Sequence, residues 1–127
     1  MHADAARLNE LSGAIIGCGF RVQISLGAGF LEKVYENALA FELRDAGFAV
    51  VQQPGAKVMY RGAVVGEYFA DLMVEDAVAI ELKAVKALGD AHRRQCINFL
   101  KATGLHLCLL LNFGTPRLDI MRVVNRL

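Results

Sequence analysis

A chain of 127 residues, 55% of them hydrophobic, can bury one core without disulfide or metal staples, and this composition excludes a disordered polymer. A formal net charge of +1 excludes a global attraction to nucleic acid, so any such contact has to be local. Cys18, Cys96 and Cys108 are an odd number of widely spaced thiols in apolar settings; they read as buried free cysteines of a reducing, cytoplasmic compartment, not as a disulfide frame or a zinc site.

The chain begins Met1-His2-Ala3-Asp4, with an acid ahead of its apolar residues and no basic region, so it does not read as a signal peptide. The longest apolar run, Leu107 to Leu111, is far too short to span a bilayer, and no membrane partner is expected. Leu8, Leu11, Ile15, Cys18 and Val22 recur at helical spacing and predict an amphipathic helix from Asp4 to Gln23. Gly13 and Gly17 lie four residues apart in it and would permit close packing of a neighbour. Gly27-Ala28-Gly29 breaks the pattern, and a second helix is expected from Phe30 to Ala46, stopped by Gly47. Leu31, Val34, Ala38 and Phe41 are its expected core face, with Glu32, Tyr35, Glu36 and Leu39 as an adjoining stripe. Glu32 falls in the first turn, where the macrodipole favours an acid whatever else it does.

Phe48 to Gln52 reads as a short strand ending before Pro54. Lys57–Tyr60 and Ala63–Val65 flank Arg61-Gly62 as a hairpin, and the second strand is expected to run on to Val74. A strand from Val78 to Lys83 would complete a four-strand meander. Asp90 is the expected N-cap of a helix from Ala91 to Thr103, which stops at Gly104. Its His92, Arg93, Arg94 and Lys101 suit solvent or a phosphate backbone, and Gln95 by residue type is an ordinary exposed position. Leu105 to Phe113 reads as a buried central strand, His106 as a satisfied strand-end histidine, and Leu118, Ile120 and Arg122 as the start of an edge strand. Residues 1–127 are therefore expected to form one α/β (α+β) domain, a mixed sheet flanked by helices with a helical crossover before Leu105.

The chemistry concentrates between Tyr68 and Lys86. Glu81 and Lys83 share one face of an otherwise apolar strand with Ala77 and Ala79, while Val78, Ile80 and Leu82 take the other. Such charges are costly to desolvate without partners; an edge-strand ion pair is the plain reading. Asp71 precedes them on a strand that a hairpin could bring alongside. Two carboxylates and a lysine on one sheet face would suit a hard divalent cation. Strand parity decides whether they meet. A two-residue turn at Glu75-Asp76 would set Asp71 on the face opposite Glu81, whereas a three-residue loop, Glu75-Asp76-Ala77, pairs Val74 with Val78 and sets Asp71 across from Glu81. An odd loop or a bulge is expected.

Gly29-Phe30-Leu31-Glu32-Lys33-Val34-Tyr35 resembles the signature of the small bacterial GxxExxY family, and the resemblance continues through Gly66-Glu67-Tyr68, Ala70-Asp71-Leu72, Glu81-Leu82-Lys83-Ala84, Gln95, Phe99 to Gly104, and Leu110 to Gly114. It covers the chain from about Leu11 to Val123. Gln23 and Ala28 depart from it, where a histidine and a proline are usual. The family is placed in the PD-(D/E)xK nuclease-like superfamily, with a restriction-endonuclease-like αβββαβ core. The resemblance implies that Asp71 and Glu81 are ligands of Mg2+ (or Mn2+), Lys83 the catalytic lysine, Glu32 a helix carboxylate reaching the same site, and Gln95 a polar residue beside it. It implies hydrolysis of a phosphodiester in nucleic acid, DNA or RNA. The rival expectation is a non-catalytic module of the same fold that binds nucleic acid or a protein; a homodimer is left open.

Overall fold

The computed structural model of the protein describes residues 5–125, so the expected helix start at Asp4 lies outside the described residues. Helices α1 (Ala5–Leu26) and α2 (Glu32–Asp45) precede strands β1 (Val50–Gln52), β2 (Gly55–Tyr60), β3 (Ala63–Phe69), β4 (Leu72–Val74) and β5 (Val78–Lys83); α3 (Asp90–Thr103), β6 (Leu107–Asn112) and β7 (Asp119–Val124) follow. Five strands pair in the order β1-β4-β5-β6-β7, while β2 and β3 form a separate two-stranded ribbon. β5 and β6 run parallel, joined by the α3 crossover, and the other pairs are antiparallel.

The two parallel strands are covered on both faces, which explains why Leu107-Cys108-Leu109-Leu110-Leu111 is apolar without alternation. One face of the sheet carries Leu72, Val78, Ile80, Leu82, Leu109 and Leu111 against Ile15, Val22, Tyr35 and Leu39 of α1 and α2. The other carries Ala79, Cys108 and Leu110 against Cys96, Phe99 and Leu100 of α3. All three cysteines are free and buried. Ala77 packs with the first core and not with Ala79, because it belongs to the turn and not to the strand.

The expected meander does not form. The strand expected to run from Ala63 to Val74 breaks after Phe69, and its second part, β4, begins at Leu72 and pairs with β1. The break falls opposite Pro54, which has no N–H to give, and is bridged by the Gln53 N–H to the Asp71 carbonyl at 2.8 Å and the Ala70 N–H to the Pro54 carbonyl at 3.1 Å. The α2 core face is also rotated from the expected one. Tyr35, Glu36, Leu39, Ala40 and Leu43 are buried, while Leu31 is 79% and Phe41 68% exposed. A buried glutamate with its own partners lets a polar residue occupy the inner stripe. Side chains at Gly13 and Gly17 would meet nothing; the close approach falls at Gly19, where a Cβ would come within 3.0 Å of Leu118 Cδ2. Gly89, not Asp90, caps α3, with its N–H donated to Nδ1 of His92 at 3.1 Å.

Candidate active site

β4 and β5 pair Leu72 with Ile80, Met73 with Ala79 and Val74 with Val78. The loop between them is therefore Glu75-Asp76-Ala77, the odd loop that parity required. Glu75 (φ 54°) and Asp76 (φ 51°) adopt left-handed backbone to close it. Continuing this register sets Asp71 beside Glu81. The Asp71 carboxylate accepts the backbone N–H of Leu82 at 2.7 Å, and the Asp71 N–H donates to the Ile80 carbonyl at 3.2 Å.

Glu81 is 3% exposed, on a central strand, so the edge-strand ion pair is not what forms. Burial pushes its carboxyl up to about 8, the Asp71 charge adds to the rise, and Lys83 opposes it. Burial raises Asp71 as well, against hydrogen bonds from Leu82 and Gln53 that lower it. Lys83 Nζ donates to Oε1 of Gln95 at 3.1 Å, which brings the α3 residue to the end of β5. The Glu32 carboxylate accepts the backbone N–H of Ala84 at 3.2 Å, so the first residue of α2 reaches the same strand end. Asp71, Glu81, Lys83, Gln95 and Glu32 thus converge at the rim of the sheet where four elements meet.

Loop chemistry fixes the approach of α2. Gly27 (φ 69°) and Gly29 (φ 110°) take backbone that side chains resist. Tyr35 donates its hydroxyl to the Gly27 carbonyl at 2.6 Å and accepts the Phe30 N–H at 3.1 Å, while its ring stacks on Phe113 at 4.7 Å. The glycine, the glutamate and the tyrosine three residues further on are one device: turn, carboxylate and anchor.

Three supporting residues carry more than their residue types announced. Buried Glu36 accepts hydrogen bonds from Lys33, Gln52 and Gln53, and Gln53 passes one on to Asp71 Oδ1 at 3.3 Å. Gln53 holds φ 55° to do so. Asn112, fully buried on β6, accepts the N–H groups of Val85 and Gly114 and donates to the Val85 carbonyl at 2.9 Å. This clamp fixes the strand end that carries Lys83. The signal for Glu36 lay in its spacing, one turn beyond Glu32 on the Tyr35 stripe; nothing in the sequence marked Gln53.

The donors present are carboxylate oxygens, desolvated side by side, with one lysine engaged elsewhere. That set fits a hard divalent cation, which favours oxygen ligands and, when it is magnesium, retains several waters. Among the described residues no group of three or more His, Cys, Asp or Glu side chains gathers for a metal, so the fit rests on Asp71, Glu81 and solvent.

A family model described as the PD-(D/E)XK nuclease superfamily matches residues 9–123. The chain belongs to this superfamily. No curated protein matches it. The crystal structure of SSO0001 resembles it with a TM-score of 0.59 and 16% identity, covering 75% of this chain and 50% of that one. An alkaline exonuclease (LHK-Exo) from Laribacter hongkongensis resembles it with a TM-score of 0.54 and 16% identity, covering 99% and 73%. The chain thus spans half the length of SSO0001, and at this identity both likenesses are of fold. The αβββαβ core of the PD-(D/E)XK superfamily is α2, β1, β4, β5, α3 and β6 here, with the β2–β3 ribbon inserted between the first two strands.

Proposed function

We propose that this superfamily member is a metal-dependent phosphodiester hydrolase acting on nucleic acid, with residues 1–127 working as one GxxExxY-type nuclease domain. The observation that carries the reading is the convergence of Asp71, Glu81, Lys83, Gln95 and Glu32 on one strand end. Asp71 and Glu81 would hold Mg2+ or Mn2+. When bound there, the cation supplies Lewis-acid polarisation of the phosphoryl group and lowers the pKa of water. Lys83, positioned by Gln95, donates toward the charge that develops on the phosphoryl oxygens. Glu32 keeps one oxygen on the Ala84 N–H and offers the other to the attacking water. In the net reaction, the water oxygen bonds to phosphorus in line as the bond to the leaving sugar oxygen breaks, and that oxygen departs protonated.

Calorimetric titration of the protein with Mn2+ tests the reading. One saturable site is expected in the wild type and none in Asp71→Ala. Equal binding by both, or by neither, contradicts it.

A further inference from the structure

The ribbon inserted between β1 and β4 does not pack away its aromatic residues. Tyr68 and Phe69 are 39% and 51% exposed on β3, and both line a cavity of about 370 Å3 that also takes Arg94, Gln95 and Asn98 of α3. Gln95 is the residue that receives Lys83, so this cavity opens at the candidate active site. A second cavity, of about 490 Å3, shares Tyr68 and Asn98 with the first and continues along α3 to Lys101, with Lys57 on the ribbon wall. Asn98 Nδ2 lies 3.5 Å from the Tyr68 hydroxyl where the two join. Together they form one trough between the ribbon and α3.

Its chemistry is graded along its length. Arg94 and Lys101 are exposed and seven residues apart, so they stand on one side of α3 about 10 Å apart, roughly three stacked nucleotide steps. Neither forms an ion pair among the described residues. Aromatic rings beside cations that track a backbone are the composition of a single-strand platform, because stacking needs a bare base face and a duplex offers one only at its end.

We propose that the trough binds unpaired nucleic acid and delivers that strand to the candidate active site: a base stacks on Tyr68, and Arg94, Lys101 and Lys57 take the phosphates. The proposal rests on the nuclease reading for what happens at the end of the trough, but not for the binding itself.

Fluorescence anisotropy in EDTA separates the two. The probes are fluorescein-labelled mixed-sequence octanucleotides of DNA and of RNA, and a blunt DNA duplex containing the same sequence. At least one of the octanucleotides is expected to bind ten-fold or more tightly than the duplex; which of the two it is assigns the sugar. Tyr68→Leu is expected to weaken that binding roughly 10-fold while Tyr68→Phe stays within about two-fold. Arg94→Gln and Lys101→Gln, both on exposed positions, are expected to weaken it and to lower the salt dependence by about one counterion each. Binding in EDTA is read without turnover, so a loss of cleavage alone bears only on catalysis. Tighter binding of the duplex, no measurable binding of any probe, or unchanged affinity in Tyr68→Leu and Arg94→Gln overturns the proposal, even if the wild type cleaves.

Discussion

The carboxylate of Asp71 accepts the backbone N–H of Leu82 at 2.7 Å, tying the start of β4 to the strand that carries Glu81 and Lys83. One hydrogen bond therefore does two jobs. It satisfies a backbone donor beyond the end of the β4–β5 ladder, and it holds one acid beside the other. Asp71→Asn preserves the shape and removes the charge. Cleavage is expected to fall by at least about 100-fold in Asp71→Asn and in Lys83→Ala, with circular dichroism unchanged. Loss of fold in both variants would instead make the pair structural.

The acids also set a pH dependence. With the Glu81 carboxyl pushed up to about 8 from 4.5 in the free side chain, the folded protein binds more protons than the unfolded chain across that window. Stability without metal is therefore greatest at the acid end and falls as pH rises from about 4.5 to 8, by about 5 kcal/mol at most. Glu81→Gln is expected to flatten this slope and to be the more stable protein at pH 8.5. Urea denaturation in EDTA at pH 5 and pH 8.5 measures both. A wild type that gains stability with pH would contradict it.

Two glutamates one helical turn apart are expected to separate cleanly. Glu32→Gln leaves the fold alone and lowers activity, because Glu32 is exposed and is held at the strand end by the Ala84 N–H. Glu36→Ala removes the buried carboxylate that Lys33, Gln52 and Gln53 share and is expected to cost about 2–3 kcal/mol. Thermal melts and cleavage rates on the same preparations distinguish them; the reverse pattern would exchange their roles.

At Gly114 an added Cβ would collide with the backbone of Val85, two residues beyond Lys83. Gly114→Ala is expected to lose about 2–3 kcal/mol of stability. Asn112→Ala, which removes the clamp on the same segment, is expected to lower activity more than Gln95→Ala does. Denaturation midpoints and single-turnover rates report the two effects. An unperturbed Gly114→Ala would mean that the segment yields.

Much of this was legible in the chain. Apolar runs of strand length placed β5 and β6, and helical spacing placed α1. Parity arithmetic demanded the three-residue loop that Val74 and Val78 now define. What failed was wherever a polar residue took an inner position. Glu36 is buried by its hydrogen bonds, so hydrophobic spacing assigned the wrong face to α2. Spacing reads the ribbon as part of the main sheet because nothing in Tyr68-Phe69-Ala70-Asp71 marks a break; the break lies opposite Pro54, where Gln53 and Pro54 bond to Asp71 and Ala70 without continuing a regular ladder. Spacing places Gln95 on a helix, and only the family resemblance sets it beside Lys83, since that meeting depends on the crossover's angle.

The central claim is that Asp71, Glu81 and Lys83 make a metal-dependent phosphodiesterase site, and cleavage of end-labelled DNA and RNA oligonucleotides measures it most directly. Wild type, Asp71→Asn and Lys83→Ala are compared in Mg2+, in Mn2+ and in EDTA. The account predicts shorter labelled products from the wild type with either metal, none in EDTA, and at least about 100-fold less from each variant. Cleavage that survives EDTA, or that both variants retain, would contradict it, as would a correctly folded, metal-loaded wild type that cuts neither substrate.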